Sequence, residues 1–390
     1  RFCDEISHTS ELGIINRGDH GEIAVFPEKE LNNPYSGNVV DICPVGALTD
    51  KDFRFKMRVW YLKTKDSICT GCSRGCNIQV QYNLDRPHHT GGDRVMRLKP
   101  RFNENVNKWW MCDEGRYGYK HHDHNRILTA RKRSGQSVKD ETWDVILSEA
   151  AQKIAAAKNS LAVLLSPQMT NEEIFLAREL FAEKLAVKDL VLLSPTGEGF
   201  QDDFLIQADK NPNSRGAAAF GFSQDAKALE SLVQRINQGL ITSLVIFGQD
   251  VYGRFEKLGL KADLSKLAWA LFIGSNSNLS SEAAAYVLPS ATSVEKDGTY
   301  TNCAGRVQRF NKILEPLGEA RCEKQILTAL AAALGFPLSY AETRDVFHEL
   351  SLRVEAFKGL DYDGLGDGGS DIRTMAAPTV PQSQQYDNIL

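Results

Sequence analysis

The chain has 390 residues, 42% of them hydrophobic and 25% charged, with a formal net charge of −4. This is the balance of globular domains, two or three for such a length, and it gives no electrostatic reason for a nucleic-acid partner. No apolar run is long enough to cross a bilayer, since the longest candidate, Ile326 to Leu338, is short and interrupted by Gly335 and Pro337.

The chain opens at Arg1, and RFCDEISH has no apolar core of a signal peptide. A start without Met reads as a fragment or a processed product. A turn-rich stretch, LNNPYSGNVVDICPVGAL, follows. Between about residues 60 and 118 come three strand-like runs, RVWYL, NIQVQY and RVMRL. They alternate or are rich in β-branched and aromatic residues, which suits a small antiparallel β domain.

The β-rich region holds an unusual set of cysteines. Cys69, Cys72 and Cys76 are spaced C-x2-C-x3-C in SICTGCSRGCNIQV, and Cys112 follows after 35 residues in WWMCDEGRYGY. Without an export signal the compartment reads as reducing, so thiolate ligands fit better than disulfides. A cubane cluster takes four thiolates, and Gly71, Ser73 and Gly75 are small enough for a loop wrapped round its sulfides. Zinc is the main rival, although its usual sites pair two C-x2-C knuckles and here the fourth cysteine stands alone. Plain buried thiols are the third reading.

From about residue 135 the pattern changes. ETWDVILSEAAQKIAAA has helical spacing, SLAVLLS reads as a buried strand, and TNEEIFLARELFAEKLA is a helix with Thr170 and Glu173 placed as a capping box. DLVLLS, SLVIFG and WALFIGS are further buried strands, separated by AKALESLVQRINQ and by a helical stretch ending at Ala268. Such alternation predicts a mostly parallel sheet covered on both faces. AYVLPSATSVEKDGTYTN reads as a strand leading into loops, CEKQILTALAAALG and AETRDVFHELSLRVEAF as late helices, and the chain from Gly364 as a flexible tail.

His121, His122 and His124 form HHDH, taken as a solvated loop, and Arg131, Lys132 and Arg133 as a solvated face. Glycines in SPTGEGF and FIGSNS follow strands, as phosphate-cradling loops do, but glycine also simply ends strands. Cys303 and Cys322 have no partner spacing and read as structural.

SICTGCSRGCNIQV with WWMCDEGRYGY resembles the iron–sulfur domain of the molybdopterin oxidoreductases. The preceding DICPVGALTDKDFRFKMRVWYL, and VLPSATSVEKDGTYTNCAGRVQRF further on, narrow the resemblance to the large iron–sulfur subunits of bacterial NADH–quinone oxidoreductase, respiratory complex I. It extends over roughly residues 1 to 335. The fold it implies is α/β. Residues 1–58 would be the C-terminal part of a ferredoxin-like domain and 59–120 a small β-rich [4Fe–4S] domain. Residues 121–338 would be a degenerate molybdopterin-oxidoreductase-like α/β domain, and 339–390 a helix and flexible tail.

The resemblance also implies roles. Cys69, Cys72, Cys76 and Cys112 would hold one [4Fe–4S] cluster. Cys43, in CPVGAL, would be the fourth ligand of a second [4Fe–4S] cluster whose other ligands precede Arg1, and a complete chain would add a [2Fe–2S] cluster; Cys3 is not a ligand position. Pro44 removes a backbone donor and helps turn the chain away. Because mitochondrial members often lack the C-x2-C-x3-C set, the chain looks bacterial, and the retained cluster stands apart from the family's main electron path. The expected function is electron relay and scaffolding between NADH/FMN and quinone. Expected partners are the flavin- and NADH-binding subunit and the ferredoxin-like subunit. The expected place is peripheral, on the cytoplasmic side of the inner membrane, with membrane association only through the complex.

Two other classes of function stay open. One is a zinc-stapled binding protein. The other is a catalytic molybdenum or tungsten oxidoreductase, such as an NAD-linked formate dehydrogenase. Against the latter, no Cys occurs between Cys112 and Cys303, leaving Ser194 as the available ligand in DLVLLSPTGEGF. Glu114 stands where catalytic relatives place a Lys, and its carboxylate would repel pterin phosphates. The stretch from Cys112 to Leu390 is also short for a domain enclosing two pterin nucleotides. No molybdopterin and no independent active site are expected.

Overall fold

Short alternating segments build the first part of the protein, and longer apolar segments build the second. The computed structural model describes residues 1–135, 137–193, 199–222 and 226–373. The chain divides into two units, Arg1–Asp66 with Cys76–Lys120, and Ser67–Gly75 with His121–Leu390.

The first unit begins with a short π-helical turn, Phe2–Ile6, followed by an antiparallel ribbon of β1 (Leu12–Ile15) and β2 (Glu22–Val25). Next comes α1 (Gly37–Ile42), inside the stretch expected to be turns. Its helical geometry is held by Asn38, which is fully buried, donates to Met111 O and accepts from Met111 N–H. That partner lies 73 residues away and is invisible to local pattern. A three-stranded sheet follows, in the order β3 (Lys63–Ile68), β4 (Asn77–Tyr82) and β5 (Val95–Pro100). The strand expected at RVWYL is a short 3-10 turn, Val59–Tyr61, and β3 starts after it. Val59 and Trp60 are exposed there. Aromatic and β-branched residues favour a strand only where a sheet buries them. The short helix α2 (Asp113–Tyr117) closes this unit's elements.

The second unit is built on a seven-stranded sheet. Its edge is a hairpin of β6 (Arg131–Ser134) and β7 (Ser137–Asp140). Arg131 to Arg133, expected as a solvated face, are instead half-buried in β6. Helix α3 (Trp143–Ala157) leads to β8 (Leu161–Leu165). Helix α4 (Asn171–Ala177) starts at the expected capping box: Thr170 accepts from Glu173 N–H and Glu173 from Thr170 N–H. Strand β9 (Asp189–Leu192), helices α5 (Ser214–Ala219) and α6 (Ala226–Asn237), and β10 (Ser243–Phe247) follow. Then come α7 (Val251–Lys257), β11 (Trp269–Gly274), α8 (Leu279–Ala283) and β12 (Tyr286–Pro289).

The order is β7-β6-β12-β11-β10-β8-β9, with β9, β8, β10, β11 and β12 parallel. Successive strand residues face opposite sides, so Val245 and Phe247 join one core and Leu244 and Ile246 the other. Both faces are covered, which explains the unbroken apolar runs. Chain order reverses between β8 and β10, where Gln249 Nε2 donates to Ser166 Oγ at 3.0 Å.

A second, small sheet orders β13 (Gly298–Thr301), β14 (Arg306–Phe310) and β15 (Ser370–Asp371). Helices α9 (Glu323–Ala333) and α10 (Thr343–Arg353) complete the unit. The expected flexible tail is corrected in part. Leu365 is buried, and β15 pairs with β14 through Asp371 and Arg306; from residue 374 the tail lies outside the described residues. Among the described residues no helix is long and apolar enough to cross a membrane.

Candidate metal centre

Cys69 and Cys72 fall in the second unit, Cys76 and Cys112 in the first. All four are buried, between 5 and 7% exposed. Backbone amides serve two of the sulfurs. Gly71 N–H reaches Cys69 Sγ at 3.5 Å, and Gly115 N–H reaches Cys112 Sγ at 3.3 Å. Cys112 occupies the N-cap of α2 and accepts as a capping oxygen would. Buried sulfurs that accept from amides suit thiolates bound to iron or zinc, because donors directed at sulfur stabilise negative charge there. Among the described residues, no group of three or more His, Cys, Asp or Glu side chains stands in a metal-holding arrangement within either unit.

The loop Ser67–Gly75 rests on the β13–β14 hairpin of its own unit. Ile68 packs with Tyr300 and Phe310, whose rings stack with centroids 4.7 Å apart. Three consecutive loop carbonyls accept from the hairpin. Cys303 N–H donates to Ser73 O at 2.7 Å, Asn302 Nδ2 to Arg74 O at 3.3 Å, and Gln308 Nε2 to Gly75 O at 3.0 Å. Ser73 N–H donates in turn to Asp209 O at 2.8 Å. Gly75 has φ +65°, and a Cβ there would lie 2.8 Å from Gln308 Oε1. Only glycine adopts that backbone so close to a neighbour without strain. Cys303, read from sequence as having no partner spacing, therefore belongs to the support of this loop. Burial raises its thiol pKa, which the charge of Cys72 also raises and that of Arg74 opposes.

Cys43 lies at the C-terminal end of α1 in the first unit. The backbone amides of the turn that follows, chiefly those of Leu48 and Val45, favour its thiolate and hold its pKa below the usual thiol value. A turn whose backbone favours the thiolate suits a thiolate ligand. Helix α1 is latched to the Cys112 helix: Ser36 Oγ and Gly37 N–H donate to Asp113, and Arg116 pairs with Asp41 at 2.7 Å. Cys3 is 2% exposed, and burial pushes its thiol pKa up.

The segment TSVEKDGTYTNC works residue by residue in the second unit. Glu295 receives both terminal nitrogens of Arg126, at 3.0 and 2.7 Å. Lys296, 3% exposed in its side chain, donates to Glu173 at 2.8 and 3.0 Å and to Glu323 at 2.8 Å. Burial alone would lower the Lys296 pKa, but the two carboxylates outweigh it and hold it high. Burial and the charge of Glu323 raise the Glu173 pKa to about 8, whereas Lys296 overcomes burial at Glu323 and keeps it low. Thr299 donates twice to buried Glu172, whose pKa burial raises to about 7. Gly298 leaves room for Thr170, since a Cβ would lie 2.4 Å from Thr170 Cγ2. The motif thus joins β13, α4 and α9 and ends at the cysteine loop.

Among the described residues the remaining candidates form no second metal-holding group. His122 is buried rather than solvated, and the carbonyls of His121 and His124 accept from Asn276 Nδ2. Cys322 caps α9. Glu114 is exposed. Ser194 and most of SPTGEGF lie outside the described residues.

Three family models match. "NADH-quinone oxidoreductase subunit 3, ferredoxin-like domain" matches residues 1–49, "Molybdopterin oxidoreductase Fe4S4 domain" 62–124, and "Molybdopterin oxidoreductase" 219–333. The chain is 24% identical to the G subunit of the NADH-quinone oxidoreductase of Rickettsia bellii, over 92% of this chain and 68% of that one. It is 24% identical to the mitochondrial NADH-ubiquinone oxidoreductase 78 kDa subunit of Candida albicans, over 89% of this chain and 63% of that one. With the NADH-ubiquinone oxidoreductase 75 kDa subunit of Reclinomonas americana it shares 32% identity over half of this chain and 27% of that one. The chain thus spans about two thirds of the length of its longer matches.

Proposed function

This chain is a homologue of the G subunits of the NADH–quinone oxidoreductases, and we propose that it serves as an iron–sulfur electron-transfer and scaffold subunit of such a complex, between NADH/FMN and quinone. The observation that carries this reading is the order of its domains. A complex-I-type ferredoxin-like segment precedes an Fe4S4 domain, which precedes a molybdopterin-oxidoreductase region.

Cys69, Cys72, Cys76 and Cys112 are the proposed ligands of one [4Fe–4S] cluster, which supplies one-electron redox chemistry when bound. The chain's own part is to bury the four sulfurs, direct the Gly71 and Gly115 amides at two of them, and keep the loop in one conformation. Cys43 is the proposed fourth ligand of a second [4Fe–4S] cluster, completed by residues before Arg1 and accompanied by a [2Fe–2S] cluster in a longer chain. The proposed partners are the flavin- and NADH-binding subunit and the ferredoxin-like subunit, in a peripheral arm on the cytoplasmic side of a bacterial inner membrane. The four domains begin, in this reading, at residues 1, 59, 121 and 339.

The α/β region is proposed as scaffold, without molybdopterin. No Cys lies between Cys112 and Cys303, and acidic Glu114 follows the fourth cluster cysteine. The buried core and the Lys296 network stabilise such a sheet without any catalytic role. Gentle purification from the native host tests the assembly: flavin- and cluster-bearing subunits should accompany the chain, and a homo-oligomer free of them would contradict it. Elemental analysis after growth with molybdate and tungstate decides the alternative. Near-stoichiometric molybdenum or tungsten, with formate-dependent turnover, would make the chain a catalytic oxidoreductase.

A further inference from the structure

We infer that the β13–β14 hairpin is the mount of the cluster loop, and that Gln308 and Asn302 are positioning residues that set the behaviour of the bound cluster. This rests on the proposed assignment of Cys69 and Cys72 as ligands.

The hairpin fixes the carbonyls of Ser73, Arg74 and Gly75, the three residues between Cys72 and Cys76. Each peptide is a rigid plane, so fixing its C=O also fixes the N–H on its far side. Three successive peptide dipoles are therefore oriented by residues far away in sequence, 228 positions for Asn302 and 233 for Gln308. Asp209 O holds Ser73 N–H, and Ile68 anchors the start of the loop on the same two hairpin aromatics. Two of the three hairpin donors, Asn302 and Gln308, are nearly inaccessible side chains. Gly75 and Gln308 approach too closely for any larger residue at position 75.

The chemistry follows from this placement. Oriented amides near an iron–sulfur cluster stabilise its reduced, more negative state and raise its potential. A loop that cannot re-orient also resists opening, and ligand exchange with a chelator requires opening. Without the Gln308 amide, the Gly75 carbonyl loses its partner in a buried setting and that segment opens more readily.

The test uses the full chain, expressed and purified anaerobically, in parent form and as Gln308→Leu and Asn302→Ala. Gln308→Leu keeps similar bulk and removes the donor. Circular dichroism melts first verify that the variants fold. With the cluster loaded, redox titration followed by electron paramagnetic resonance should give a lower midpoint potential and altered g-values. Iron release to a chelator should quicken by about tenfold, corresponding to one buried acceptor left unpaired. Arg309→Ala, whose side chain pairs with Asp363 away from the loop, should change neither readout.

A folded Gln308→Leu protein that fails to retain iron supports the inference more strongly still. Unchanged potential and release in both folded, loaded variants would overturn it. Should Gln308→Leu not fold, Asn302→Ala alone decides on the same readouts. Absence of iron from the parent chain would instead remove the ligand assignment beneath the inference, so the two failures are distinguishable.

Discussion

Replacing Lys296 with Met should be among the most damaging single changes in the second unit. The ammonium is 3% exposed and holds three carboxylate oxygens within 2.8–3.0 Å, two on Glu173 and one on Glu323. Methionine fills similar volume, so the loss is chiefly electrostatic. It leaves two buried carboxyl groups facing each other without a cation. Removing one partner of a buried ion pair costs about 3–5 kcal/mol. At roughly 2–4 °C per kcal/mol for a unit of this size, the melting temperature should fall by ~6–20 °C at pH 7. Lys296→Met, Glu173→Gln and Glu323→Gln together should recover most of that loss, because no charge is left to desolvate and the amide oxygen introduced by Glu173→Gln can still accept from Thr170 N–H. Scanning calorimetry on the parent, the single and the triple variant is the assay. Salt at about 0.5 M should not change the gap, since a buried pair is little screened. A drop below about 2 °C, or a triple variant as unstable as the single one, would refute the reasoning.

Buried Glu172, with its pKa raised to about 7, binds a proton in the folded state at pH values where the unfolded chain has released it. Its contribution to stability is therefore present below about pH 4.5 and is lost as the pH rises to about 7, and Glu172→Gln should flatten that part of the stability–pH curve in denaturant titrations. Gly298→Ala should cost about 1–3 kcal/mol by forcing Cβ into Thr170, and less in a Thr170→Ser background that lacks Cγ2; equal costs in both would place the strain elsewhere. In a chain extended upstream of Arg1, Cys43→Ser should remove one tetranuclear cluster from the Mössbauer spectrum, and an unchanged cluster count would contradict its role as a ligand.

Local pattern carried the elements that local chemistry decides. NIQVQY coincides with β4, and the apolar runs SLAVLLS, SLVIFG and WALFIGS became the central parallel strands, because burial on both faces leaves an unbroken signature. Thr170 and Glu173 formed the capping box that their spacing announced. Long-range contacts were hidden. Helix α1 depends on Asn38 meeting Met111, and RVWYL had strand-like residues but no sheet to bury Val59 and Trp60. The cysteine spacing pointed to an Fe4S4 domain, which a family model matches over residues 62–124, whereas the support of the cysteine loop was hidden, since Asn302, Cys303 and Gln308 carry no motif that points back to Ser73–Gly75. Nor does the sequence announce that Lys296 is buried between two glutamates, because AYVLPSATSVEKDGTYTN reads only as a strand leading into loops.

The most direct measurement is the iron and acid-labile sulfide content of the anaerobically purified chain, read with its Mössbauer spectrum. The expected result is a brown protein with iron and sulfide in equal amounts, the spectrum of a tetranuclear cluster, and loss of that spectrum in Cys72→Ser. Stoichiometric zinc without iron, in a colourless protein, would contradict the assignment of Cys69, Cys72, Cys76 and Cys112 as ligands of an iron–sulfur cluster.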